Sequence, residues 1–122
     1  MESGPKTRAL FQRASESIPC GVNSNFRYWG DEKTLILKKS SGAYIWDQDD
    51  KRYIDYRLGF GPVILGHAHP EVIERVKEVL AIGNAIAMTN EYEIQVAKKK
   101  KKLTGVDMVR YANSGTETTM HA

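Results

Sequence analysis

A chain of 122 residues, 41% apolar and with a formal net charge of +3, is sized for one compact domain with a modest core. Five of its eighteen lysines and arginines stand in one run, Lys98 to Lys102, so the interleaved basic and aromatic residues that nucleic-acid binding needs are missing. A single cysteine, Cys20, excludes an internal disulfide and points to a reducing compartment; no apolar run has membrane length and the N-terminus lacks a signal-peptide core, so the cytoplasm is the expected location.

Residues 1–17 are polar, with Ala9, Leu10, Arg13 and Ala14 on one weak helical face, which predicts a frayed terminal helix. Residues 18–25 have loop composition and lead into Phe26, Arg27, Tyr28 and Trp29. Arg27 offers a rigid fork suited to a carboxylate; the plainer reading is a surface arginine stacked on its aromatic neighbours. A β-meander follows, with strands predicted at 35–38, 43–47 and 52–56 and a hairpin connection at 48–51, where Asp50 tolerates a positive φ. Tyr44, Trp46, Tyr53 and Tyr56 read as an aromatic stripe for core or interface packing.

Residues 57–66 form a glycine-punctuated turn. Gly59 and Gly61 match G-x-G, but Gly66 falls too late and Pro62 intervenes, so a dinucleotide motif is dismissed. His67 and His69 alternate and would share one strand face, as metal ligands do, but two histidines do not complete a site. The structural reading fits better: Pro70 suits the first helical position, and Glu71 and Glu74 suit the positive end of a helix. A helix is predicted over 70–82, with Val72, Ile73, Val76, Val79 and Leu80 on one stripe and Gly83 as its stop.

A loop is expected at 84–89. Asn90 then precedes Glu93 by three residues, a cap signature for a second helix over 91–103. Lys101 stands where an amphipathic helix wants an apolar residue, and the lysine run reads as a solvated face. Thr104-Gly105 closes this helix. Residues 108–112 read as a short strand, and Ser114 with Glu117 has capping-box spacing for a last helix. Gly115 lets the backbone approach a ligand closely. The turn is either a plain helix cap or a holder for a phosphate, since amide groups and the helix dipole converge there.

No one of these pieces is specific. Their order is. Gly21-Val-Asn-Ser24 with Arg27, Gly42-Ala-Tyr-Ile-Trp-Asp47, Arg52-Tyr-Ile-Asp-Tyr56, Gly61-Pro62, Gly66-His-Ala-His-Pro70 and Asn113-Ser-Gly-Thr-Glu117 together resemble the class III aminotransferases that use pyridoxal phosphate (PLP). The likeness covers nearly the whole chain and is nearest to the aminomutase branch, in which amine and aldehyde exchange on one carbon skeleton. It implies an α/β fold, the N-terminal part of a PLP-dependent transferase of fold type I. Residues 1–69 would be the N-terminal arm and small-domain meander. Residues 70–122 would be the helices and the first strand and helix of the large cofactor-binding domain.

By the same resemblance, Ser114, Gly115 and Thr116 would hold the cofactor phosphate, Ser24 and Arg27 a substrate carboxylate, and Phe60 would lie against the substrate where the family often has tryptophan. The substrate would be a small amino acid or amino-aldehyde and the assembly a homodimer, with no metal. The Schiff-base lysine is expected beyond Ala122, so residues 1–122 would carry no catalytic residue and would be a piece of a longer protein. The chain departs from the family at Asn25-Phe26, where the aminomutases have Pro-Val, at Asp50, where glycine is usual, and in the lysine run. Two other readings stay open: a non-catalytic dimerisation remnant, and a phosphate-binding module for another ligand.

Overall fold

A computed structural model describes residues 2–83 and 87–122. The chain divides into two compact units, residues 1–78 and 79–122, and the division falls inside the helix that begins at Pro70.

In the first unit, helix α1 spans Pro5–Ser15, with Pro5 in its first turn and no acidic residue there. Its free N–H groups are capped from far along the chain. Asp49 accepts from the Lys6 N–H at 2.9 Å, the Thr7 N–H at 2.9 Å and the Thr7 hydroxyl at 2.8 Å. A carboxylate at a helix N-terminus satisfies orphan donors and meets the positive end of the dipole. The face turned inward is Thr7 and Phe11, both buried. The frayed helix expected from Ala9, Leu10 and Arg13 is therefore corrected: a cap 42 residues away in sequence and one buried ring hold it. Gly21, at φ 65°, lies where a Cβ would meet the Phe11 ring at 2.7 Å, so the chain after the helix can close over that ring only with glycine there.

The meander forms as an antiparallel sheet in the order β1-β2-β3, with β1 Leu37–Ser41, β2 Tyr44–Asp47 and β3 Arg52–Ile54. Strand β1 lies two to three residues later than the apolar run at 35–38. It is an edge strand that pairs through Lys39, Ser40 and Ser41 with Trp46, Ile45 and Tyr44, so main-chain partners rather than hydrophobicity set its bounds. The β2–β3 hairpin turns through Asp50 at φ 62° as expected. Asp47, fully buried, organises it: its carboxylate accepts from the Asp49 N–H, the Lys51 N–H and the Tyr53 hydroxyl at 2.8–3.0 Å.

The aromatic stripe does not form as one face. The register places Tyr44, Trp46, Arg52 and Ile54 on one side and Ile45, Asp47 and Tyr53 on the other, because neighbours on a strand alternate. Arg52 lies over the Tyr44 ring at 4.6 Å and Lys39 over the Trp46 ring at 4.7 Å. Tyr56 is exposed.

Helix α2 spans Pro70–Leu80, with Pro70 at its first position and Glu71 in its first turn. The expected loop at 84–89 includes residues 84–86, which lie outside the described residues. In the second unit, α3 spans Glu91–Thr104 behind an Asn90/Glu93 capping box, and Gly105 at φ 75° ends it by returning its N–H to the Lys101 carbonyl. Lys98 to Lys102 are all exposed, as a solvated face requires. Helix α4, Gly115–His121, follows a Ser114/Glu117 capping box.

Residues 108–112 do not form the strand expected of them. A strand is defined by its pairing, and no strand pairs with them among the described residues. They are tied instead to α3 by the Tyr111 hydroxyl, which donates to the Glu93 carbonyl at 3.0 Å.

Candidate functional site

The first unit holds a cleft of about 680 Å³ between the sheet and the loops on either side of it. Arg27, Trp29, Lys38, Arg57, Phe60 and His67 are among the residues lining it. Two arginines, Arg27 and Arg57, and one carboxylate, Asp55, are among the lining residues, and the walls carry aromatic rings. Such a cleft suits a small anionic molecule with an apolar body. Two of the three residues predicted to meet a substrate line it, Arg27 and Phe60. Ser24 does not. It stands half-buried at the start of the helical turn Asn25–Arg27, and its carbonyl accepts the Arg27 N–H at 2.9 Å. The Arg27 guanidinium has no partner among the described residues, so its donors are free for a ligand.

The floor of the cleft contains a pair to which the sequence reading gave no role. Asp55 Oδ2 lies 2.6 Å from His67 Nε2, and their side chains are 9% and 18% exposed. The other oxygen, Oδ1, accepts from the Arg57 N–H at 2.8 Å and the Leu58 N–H at 3.2 Å, an Asx-type turn. Burial pushes the Asp55 pKa up, but the hydrogen bonds from His67, Arg57 and Leu58 outweigh it and hold the carboxyl below its ordinary range. His67 reaches Asp55 because its own backbone pairs with Gly42, N–H to carbonyl at 2.8 Å and the reverse at 2.9 Å. A Cβ on Gly66 would lie 3.1 Å from the Gly42 Cα. The signal available in the sequence was this pair of glycines, each at a place where two backbones meet. His67 thus serves the hairpin end, while the His69 carbonyl accepts the Ile73 N–H at the start of α2.

The turn after Asp55 is strained. Leu58, Gly59, Phe60 and Gly61 all have positive φ, at 50°, 62°, 66° and 117°. For bulky residues such as leucine and phenylalanine this region is uncommon and costs free energy, and such residues cluster at ligand-binding turns. The result is that Phe60 stands 64% exposed on the cleft, its ring edge-on to Phe26 at 5.9 Å.

In the second unit, the N-terminus of α4 carries Ser114, Gly115 and Thr116. Glu117 Oε2 accepts the Asn113 N–H at 2.6 Å and the Ser114 N–H at 3.2 Å, and Ser114 Oγ accepts the Glu117 N–H at 3.2 Å. That leaves the N–H groups of Gly115 and Thr116 and the Thr116 hydroxyl without an acceptor among the described residues. Among the described residues, none outside its immediate chain neighbours and its own helix backbone comes within 4 Å of a Cβ built on Gly115, so the backbone is open to a ligand. These donors fit a phosphate group in number and in kind.

Comparison with known proteins matches the class-III aminotransferase family model to residues 27–122. Glutamate-1-semialdehyde 2,1-aminomutase of Thermus thermophilus is 45% identical over 97% of this chain and 28% of its own length. The enzyme of the same name from Sulfurihydrogenibium is 42% identical over 96% of this chain and 28% of its own. Among solved structures, an omega-transaminase from Sphaerobacter thermophilus superposes with a TM-score of 0.91 at 33% identity, over 98% of this chain and 27% of that one. A transaminase with PLP bound superposes at 0.88 with 30% identity, over 99% and 28%. The chain therefore spans somewhat over a quarter of the length of the relatives it matches, as the reading of a piece of a longer protein expects.

Proposed function

Because this chain belongs to the class-III aminotransferase family, we propose that it supplies part of the cofactor cradle and part of the substrate cleft of a PLP-dependent enzyme that moves an amino group. The activity closest to hand is the glutamate-1-semialdehyde aminomutase reaction, on the strength of the curated relatives. An ordinary class III transaminase is the second reading, favoured by the solved omega-transaminase.

The observation that carries the cofactor assignment is the pair of unclaimed N–H groups at Gly115 and Thr116. PLP, when bound, supplies an electron sink for the carbon that bears the amine. What this chain's residues contribute is binding and orientation. Gly115, Thr116 and the free O–H of Ser114 would hold the phosphate, where the helix dipole adds positive potential. Arg27 would grip a substrate carboxylate with a planar fork, and Phe60 would cover the apolar part of the substrate and keep water from it. The reading includes a small amino-acid or amino-aldehyde substrate, a homodimer, and a Schiff-base lysine supplied by sequence outside these 122 residues. Among the described residues, no helix is long and apolar enough to cross a membrane.

The test is a chimera in which residues 1–122 replace the matching segment of the Thermus thermophilus relative. The expected result is a folded protein that retains PLP and interconverts glutamate 1-semialdehyde. PLP retention with transamination between two substrates selects the second reading. A folded chimera that loses PLP overturns the cofactor role of Ser114, Gly115 and Thr116.

A further inference from the structure

The side chain of Arg57 runs between the two turns that border the cleft. Its Nη1 donates to the Phe26 carbonyl at 2.7 Å, across 31 residues of sequence. Its guanidinium lies 5.0 Å from the centre of the Trp29 ring and 5.1 Å from that of Phe60. Its own N–H is anchored by Asp55, which His67 holds in place. Phe26 and Trp29 flank Arg27 on one turn, and Phe60 belongs to the other.

Among the described residues, the other side-chain contact that joins those turns is the Phe26–Phe60 ring pair itself. The Phe60 turn holds two bulky residues, Leu58 and Phe60, at positive φ, so left alone it would relax toward ordinary backbone conformations. A planar, delocalised cation fits between two aromatic rings and still directs an N–H in its plane to a carbonyl. A neutral or compact side chain cannot do both.

We propose that Arg57 is a positioning residue for the cleft: it joins the Arg27 turn to the Phe60 turn and so sets the pose of the aromatic wall. As a statement about substrate this rests on the proposed function above; as a statement about the two turns it does not. Arg57 touches no reacting atom in this scheme. It acts through Phe60 and through the turn that carries Arg27.

The experiment has two arms. In the first, the 122-residue chain is labelled with fluorophenylalanine, which gives one fluorine resonance for each of its three phenylalanines. Arg57→Met should move the Phe26 and Phe60 resonances toward the unstructured position and leave Phe11, buried against α1, where it is. Arg52→Met, which removes a cation from the Tyr44 ring on the sheet, should move neither. If Phe11 moves as well, the variant has unfolded, and Arg57→Lys decides, since it keeps the charge and lacks the planar fork.

In the second arm, Arg57→Met in the chimera should raise KM for glutamate 1-semialdehyde by about tenfold or more with kcat within about threefold and PLP retained. Arg57→Lys should recover only a small part of that loss. Phe26 and Phe60 resonances that stay put in a folded Arg57→Met chain overturn the proposal. A raised KM with unmoved resonances also overturns it, in favour of direct contact between Arg57 and substrate. Loss of PLP from the folded, unsubstituted chimera overturns the cofactor role of Ser114, Gly115 and Thr116 instead, and the fluorine arm then decides the role of Arg57 alone.

Discussion

At the scale of single residues, two carboxylates of the first unit each hold a partner distant in sequence. Asp49 caps α1 from 42 positions away, and Gly4 is what lets it in, since a Cβ on Gly4 would overlap the Asp49 carboxyl group. Burial tends to raise the Asp49 pKa, but the bonds from Thr7 and Lys6 win and hold it low. Gly4→Ala should therefore lower the denaturation midpoint, and so should Asp49→Ala. Both remove the same cap, so the double variant should lose no more than the worse of the two. Equilibrium unfolding in urea measures this; additive losses would mean that the glycine and the carboxylate act independently.

Asp55 makes a pH prediction at the same scale. Its pKa is lowered in the folded chain, so the carboxylate contributes stability that is present above its ordinary value of 3.8 and is lost as pH falls through the lowered folded value. Asp55→Asn should destabilise the chain at about pH 7, and the gap between the two proteins should narrow at acid pH, as Asp55 takes up its proton. Unfolding midpoints at the two pH values check it. A gap that stays constant would show that shape at Asp55, not charge, holds the turn.

At the scale of elements, what was legible in the sequence is what depends on neighbours a few residues away. The Asn90/Glu93 and Ser114/Glu117 capping boxes formed as their spacing required, as did the Asp50 turn and the start of α2 at Pro70. What misled was anything decided by a distant partner. The cap on α1 is supplied by Asp49, the bounds of β1 by its pairing with β2, and the missing strand at 108–112 by the lack of a neighbour. The site follows the same division. Arg27 was named from its own chemistry and Phe60 from the family resemblance, and both line the cleft, but Asp55, His67 and Arg57 emerge only when residues 12 to 31 apart are brought together.

The stripe on α2 was also legible, yet its Val72 and Val76 are 45% and 47% exposed. Exposed β-branched residues give a helix little, and lysine has the better helix propensity. Val72→Lys and Val76→Lys should each change stability by less than about 0.5 kcal/mol. Phe11→Ala, by contrast, removes the one buried apolar side chain among the described residues and should cost about 3–5 kcal/mol or unfold the first unit. Thermal melts of the three variants make the comparison. A large loss at Val72 or Val76 would mean that the face is covered in solution.

At the scale of the whole molecule, the distribution of burial differs between the two units. Ser3, Thr7, Phe11, Thr34 and Asp47 are buried, and all belong to the first unit; no described residue of the second unit is buried. Amide protection follows buried contacts and shielded backbone bonds, so opening should be far easier in the second unit. Hydrogen exchange on the intact chain should find the slowest amides in β2 and β3 and in the middle of α1, with α3 intermediate. Helix α4, only 7 residues long, should exchange near the unfolded rate, because a helix of that length gains little from propagation. If α3 and α4 are protected as strongly as the sheet, something must cover them. Repeating the measurement across a range of protein concentrations then separates the alternatives. Protection that grows with concentration assigns the cover to a second copy, as the proposed homodimer requires, and protection independent of concentration assigns it to the chain itself.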